Sequence, residues 1–226
     1  MLRPLSIVLC VFATGAGSSA VAFAEPVEIS GRTMGTSYSV KLGQLPEGRT
    51  VDEVRAGVDD LLEEINDQMS TYREDSELSR FNRHDSTEWF PVSSATEYTV
   101  ALALRIAADS GGAFDPTVGP LVRLWGFGPG PRTSDVPSDE VVAEALSLVG
   151  YGKVETRANP PALRKLVPGV ELDLSAIAKG FAVDRVAESL RDGGVADFMV
   201  EIGGEVRVSG ERPDGRGWRS GVEAPA

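Results

Sequence analysis

The chain has 226 residues, 42% of them hydrophobic and 7% aromatic, which is enough apolar content for a packed core and excludes a disordered chain. Its 34 acidic residues outnumber 22 basic ones, for a formal charge of −12. Nucleic acid and anionic membrane surfaces are therefore unfavourable partners, and any phosphate-bearing ligand has to be held by local devices such as a metal ion, a helix N-terminus or a single lysine.

Residues 1–24 read as an export signal. Arg3 charges its start, residues 5–13 form an apolar run too short to span a bilayer, and Ala22-Phe23-Ala24 is an A-x-A cleavage site. The expected mature chain begins at Glu25 and is exported, to the periplasm or cell envelope. The one cysteine, Cys10, lies in this segment behind Leu9, a poor residue for lipoprotein processing. Cleavage would leave no disulfide, no thiol nucleophile and no thiolate metal site.

From Gly31, Thr36, Tyr38, Val40 and Leu42 alternate with smaller or polar residues as in a half-buried strand. The period changes at residues 51–69, where Val51, Val54, Val58, Leu61, Leu62, Ile65 and Met69 share one helical face. TYREDSELSRFNRHDS (71–86) reads as a polar loop. Ser94 and Glu97 have capping-box spacing before a second helix, which Gly111-Gly112 stops.

AFDPTVGPLVRLWGFGPGPRTSDVPSDE (113–140) is dense in Gly and Pro, yet Phe114, Leu121, Leu124, Trp125 and Phe127 suggest a loop that packs on something. Ser138 can cap a helix over 139–148. Beyond Gly150, two strands are expected to meet at Pro168-Gly169, with ELDL (171–174) as the outgoing one. A helix over 175–191 follows and stops at Gly193-Gly194; 197–210 and GWRSGVE (217–223) read as strands around RPDGRG. Short turns between most strand pairs predict an α+β fold with a largely antiparallel sheet packed with helices. No interdomain linker is apparent, so residues 25–226 are expected to form one domain.

Few residues carry obvious chemistry. His84, the only histidine, sits among polar neighbours and cannot by itself build a triad or a multi-histidine metal site. GFGPG (126–130) fails as a dinucleotide loop because Pro129 and Pro131 block the helix that should open there, and no Walker-type GKS or GKT occurs. Asp115 precedes Pro116 and reads as a turn cap. Asp173 and Ser175 precede a helix and can satisfy its free N–H groups. Lys179, however, falls in the first turn, where a cation opposes the helix dipole unless an anion shares the site. A phosphate beside Lys179, with Asp173 helping to hold a divalent cation, reconciles the three residues.

Five segments in order resemble the flavin transferases of the ApbE type, FAD:protein FMN transferases: TMGTSYSV (33–40), MSTYREDSELSRFN (69–82), GGAFDPTVGPLVRLWGFG (111–128), ELDLSAIAKGFAVD (171–184) and DFMVEIGGEVRVSG (197–210). The resemblance implies an exported enzyme that uses FAD as substrate with Mg2+ and attaches FMN to a threonine of a target protein, a membrane redox subunit or exported flavoprotein, releasing AMP. Carried over by motif, Met34 packs on the flavin and Tyr72 lines its pocket. Ala113, Phe114, Asp115, Asp173 and Lys179 contact FAD, and the Ala176 carbonyl binds the metal. Family members continue with a Ser-Gly segment, an HxxDP-type segment and a late Asp/Thr motif that supplies metal ligands. None of these occurs before Ala226, so the resemblance implies a domain truncated at its C-terminus, with its catalytic residue unknown. The enzymatic alternative is an FAD pyrophosphatase giving FMN and AMP; the non-enzymatic one is a periplasmic FAD-binding protein.

Overall fold

The computed structural model describes residues 26–129 and 136–221; the expected export signal lies outside them. Strands β1 (Val27–Thr33) and β2 (Thr36–Leu42) form a hairpin through Met34 and Gly35, whose φ values of 49° and 73° are the positive pair that two-residue type I′ turns require. β1 precedes the Gly31 start expected for the first strand, and its Ile29 is fully buried.

Helix α1 (Val51–Met69) follows the predicted bounds. Thr50 and Glu53 close a capping box at its start, and Val54, Val58, Leu62, Ile65 and Met69 are its buried face. The stretch expected to be a polar loop instead contains α2 (Glu77–Arg83), capped by Ser76 Oγ accepting from the Ser79 N–H at 3.0 Å. With only Leu78 and Phe81 as buried apolar anchors, this seven-residue helix is too short to show a period.

After the two-residue β3 (Phe90–Pro91) comes α3 (Ser94–Asp109). Its cap is Ser93, bonded to the Thr96 N–H at 3.2 Å, rather than the expected Ser94–Glu97 box. Glu77 reaches over from α2 to accept from the Ser93 N–H and hydroxyl and from the Thr96 hydroxyl, so α2 helps to fix the start of α3.

The Gly- and Pro-rich segment carries α4 (Gly119–Leu124), with Pro120 in its first turn. Trp125 is 45% and Phe127 77% exposed, against the expectation that they pack. Helix α5 (Asp139–Leu148) has the expected bounds. Strands β4 (Val154–Ala158) and β5 (Pro161–Lys165) turn at Asn159-Pro160, earlier than the Pro168-Gly169 turn expected to join them.

ELDL is not a strand. Leu172 and Leu174 are buried in alternation, but the backbone bonds to an Asn82 side chain and to a loop carbonyl, so no ladder forms. Helix α6 (Ala178–Asp192) starts later than the expected Ser175. The Leu174 carbonyl accepts from both Ile177 N–H (2.9 Å) and Ala178 N–H (2.8 Å), which makes a tight turn ahead of it. β6 (Phe198–Ile202) and β7 (Glu205–Ser209) form a third hairpin, and the described part of GWRSGVE, residues 217–221, has no strand.

The strands form two antiparallel sheets, ordered β1-β2-β6-β7 and β3-β5-β4. Val40 pairs with Val200, and Ile29, Tyr38, Leu42, Phe198 and Ile202 face the same core. Helices α1 and α6 cover that face, α6 lying across β6 and β7, while α3 packs on β4 and β5. This α+β arrangement brings the β1–β2 turn, the end of α1 and the start of α6 to one edge of the core.

Candidate functional site

At that edge lies a cavity of about 760 Å³, within the range of small-molecule sites. Arg32 to Thr36 of the first hairpin form one wall, the end of α1 and residues 70–73 a second, and Ser175, Ala178 and Lys179 the third. A smaller cleft of about 140 Å³ adjoins it through Thr71 and is lined by Asn82, Arg83, Arg123, Glu171 and Asp173 among others.

Met34 is partly buried against the core and sits in left-handed backbone that a side chain adopts at a cost of about 1 kcal/mol. Such strain concentrates at functional sites. Asn66 fixes the hairpin to α1 by donating to the Thr33 hydroxyl at 3.0 Å and to the Leu62 carbonyl at 3.0 Å. Tyr72, 66% exposed, donates its hydroxyl to the Phe127 carbonyl at 3.0 Å and so spans from the cavity wall to the loop after α4. Arg73 is clasped by both oxygens of Glu63, at 2.7 and 2.8 Å, and holds that carboxyl below the usual range.

Lys179 is the second residue of α6, close to the place the sequence suggested. The anion that shares its site is a protein group: Nζ donates to Glu205 Oε1 at 2.6 Å. Glu205 Oε2 is buried and has no hydrogen-bond partner among the described residues. The β6–β7 turn packs tightly against this pair, since a Cβ on Gly203 (φ 56°) would lie 2.8 Å from the Thr36 methyl and 3.2 Å from Lys179 Cδ. The lysine thus does not require a phosphate to be stable, although its position leaves it facing the cavity.

Asp173 Oδ1 accepts from the Ser175 N–H at 2.8 Å, an Asx turn rather than a cap of α6 itself. Ala176 is exposed, and among the described residues no backbone N–H reaches its carbonyl. The Asp173 carboxylate and the Ala176 carbonyl are all-oxygen donors on one turn, which suits a hard cation in kind. No group of three or more His, Cys, Asp or Glu side chains converges as a metal site among the described residues.

The structure brings Met34, Tyr72 and Lys179 together and sets Asp173 in the adjoining cleft. Ala113, Phe114 and Asp115 line neither space. Ala113 is exposed and Phe114 packs against the core. Asp115 Oδ1 accepts from the Thr117 N–H (2.8 Å) and hydroxyl (2.6 Å), and Oδ2 from the Tyr151 N–H (2.9 Å). This is the turn-holding role its position before Pro116 suggested. Asn82, Glu205 and the Arg73–Glu63 pair were not foreseen, because their partners are set by tertiary contacts with no local sequence signature.

The profile of the ApbE family matches residues 34–226. Over 203 residues the chain is 48% identical to the FAD:protein FMN transferase of Vibrio cholerae, covering 90% of this chain and 60% of the relative. The protein of the same name from Haemophilus influenzae is 41% identical over 206 residues, covering 88% and 59%. The chain thus spans about six tenths of the length of these curated relatives. The solved flavin transferase ApbE from Vibrio cholerae superposes with a TM-score of 0.85, 48% identity and coverage of 89% of this chain and 64% of that one. The Pseudomonas stutzeri flavinyl transferase ApbE in its apo form gives 0.81, 37%, 89% and 63%. With matched sequence reaching from the β1–β2 turn through β7 and beyond, and the same fold in the solved relatives, the chain belongs to the ApbE family.

Proposed function

We propose that the chain acts as an FAD:protein FMN transferase, moving FMN from FAD to a threonine hydroxyl of a target flavoprotein with release of AMP. The observation that carries this reading is the convergence of Met34, Tyr72 and Lys179 on one cavity of about 760 Å³, in a family whose matched relatives bear that name. Met34 and Tyr72 offer the flat apolar surface that an isoalloxazine ring needs, and Lys179 marks the phosphate end. Ala113, Phe114 and Asp115 line neither space, so their contact with FAD rests on the family resemblance alone.

In the reaction the threonine oxygen attacks the FMN phosphorus, the bond from that phosphorus to the bridging oxygen breaks, and AMP leaves with the bridging oxygen. The hydroxyl proton passes to a base or to water. Lys179 donates to the pyrophosphate oxygens as charge moves onto AMP. Bound Mg2+, held through the Ala176 carbonyl and the free oxygen of Asp173, would supply further charge neutralisation. Asp173, in the adjoining cleft, closes the turn that leads to Ala176 and Lys179 by accepting from the Ser175 N–H. Residues 1–24 support export, so the target belongs to the periplasm or envelope, a membrane redox subunit or an exported flavoprotein.

The test incubates purified protein with FAD, Mg2+ and a threonine-bearing target, and follows adduct by mass spectrometry and AMP by chromatography. Adduct with matching AMP is expected. Free FMN without adduct would mean a pyrophosphatase, and tightly held FAD without AMP a binding protein. Asp173→Asn should slow Mg2+-dependent FAD turnover more than it lowers the melting temperature. N-terminal sequencing of the envelope-fraction protein should start at Glu25.

A further inference from the structure

Asn82, near the end of α2, makes an unusual clasp on a residue 90 positions away. Its Nδ2 donates to the Leu172 carbonyl at 2.8 Å and its Oδ1 accepts from the Leu172 N–H at 2.8 Å. One side chain thereby replaces the neighbouring strand that ELDL lacks. The next residue is gripped from the other side, where the Asp173 N–H donates to the Pro116 carbonyl at 2.8 Å.

Asn82 is itself held. Its main-chain carbonyl accepts from Lys165 Nζ at 2.9 Å, and Lys165 is only 1% exposed, its ammonium 5.2 Å from the centroid of the Phe81 ring. Burial pushes the Lys165 pKa down, while the charges of Glu171 and Asp85 push it up. A buried cation is costly unless its contacts are specific, and the hydrogen bond this one makes goes to Asn82. Leu172, fully buried, already anchors the segment by packing; the clasp adds control over backbone direction. Asn82 and Asp173 line the same cleft.

We propose that Asn82, backed by Lys165, is a positioning residue that sets the placement of Asp173 and of the turn leading to Ala176 and Lys179. It acts through Asp173 and touches no reacting atom. The kinetic part rests on the FAD reading above; the backbone part does not.

The experiment compares Asn82→Asp with the parent and with Asp173→Asn, alone and combined, by steady-state FAD turnover, denaturation and amide hydrogen exchange. Aspartate keeps the acceptor for the Leu172 N–H but sets an oxygen against its carbonyl. The expected result is a loss of about tenfold or more in kcat, since small misplacements of catalytic groups cost that much, with KM for FAD changed less than about threefold. In the Asp173→Asn background the further loss in kcat should be absent. Exchange at Leu172 and Asp173 should accelerate while β2 stays protected. Equal kcat losses in both backgrounds, unchanged kinetics, or retained protection at Leu172 and Asp173 would overturn the proposal. Should Asn82→Asp fail to fold, Lys165→Met takes its place with the same pattern expected at about threefold. A parent protein that consumes no FAD would sink the FAD reading and leave the exchange result to decide the placement.

Discussion

Lys179 Nζ donates to Glu205 Oε1 at 2.6 Å, so the one cation at the start of α6 reaches the cavity as half of a neutral pair. The other carboxylate oxygen is buried without a partner among the described residues, which leaves Glu205 dependent on this lysine. Removing the negative partner leaves an uncompensated ammonium at the cavity. Glu205→Gln should therefore tighten FAD binding about twofold to fivefold, the scale of a partly exposed ion pair, and leave riboflavin unchanged. Fluorescence titration of both ligands checks this, and the gain should vanish in a Lys179→Ala background.

Lys179→Ala alone should weaken FAD by about tenfold or more, the scale of a charged hydrogen bond, with a smaller effect on riboflavin, which brings no phosphate. Identical losses for the two ligands in the same titration would remove the lysine from the phosphate end.

Asp115 offers a contrasting case in which stability should respond first. Asp115→Ala strands the Thr117 and Tyr151 N–H groups and frees the turn before α4. Urea denaturation should show a loss of about 3 kcal/mol from these bonds.

Tyr38 is buried, and its hydroxyl donates to Asp59. Burial first, then the Asp59 carboxylate, pushes its pKa from 10.0 up to about 12. The unfolded chain then ionises at lower pH than the folded one. The stabilisation from Tyr38 is complete below pH 10 and lost as pH rises toward about 12. Denaturation midpoints should fall across that window, and Tyr38→Phe should flatten the fall.

Much of the fold was legible because its periodic elements are long. The 19 residues of α1 repeat an apolar face often enough to set both ends, and the glycine stop of α6 is local; Ser138 stands before α5 as expected but makes no side-chain cap bond. Two cases show where such signals end. Leu172 and Leu174 alternate as a strand would, yet the partner that decides whether a strand forms is an asparagine 90 residues earlier. Lys179 looked like a cation awaiting phosphate, whereas β7 brings Glu205 to it across 26 positions.

Motif order and local periodicity were enough for the family, the α+β class and the candidate residues. Which of them share a space is set by long-range packing: Met34, Tyr72 and Lys179 meet at one cavity, Asp173 stands in the cleft beside it, and Asp115 turns its carboxylate to the backbone around it. The reason is physical. Hydrogen-bond partners across tens of residues are chosen by sheet pairing and helix packing, and a residue's own neighbours in the chain do not specify them.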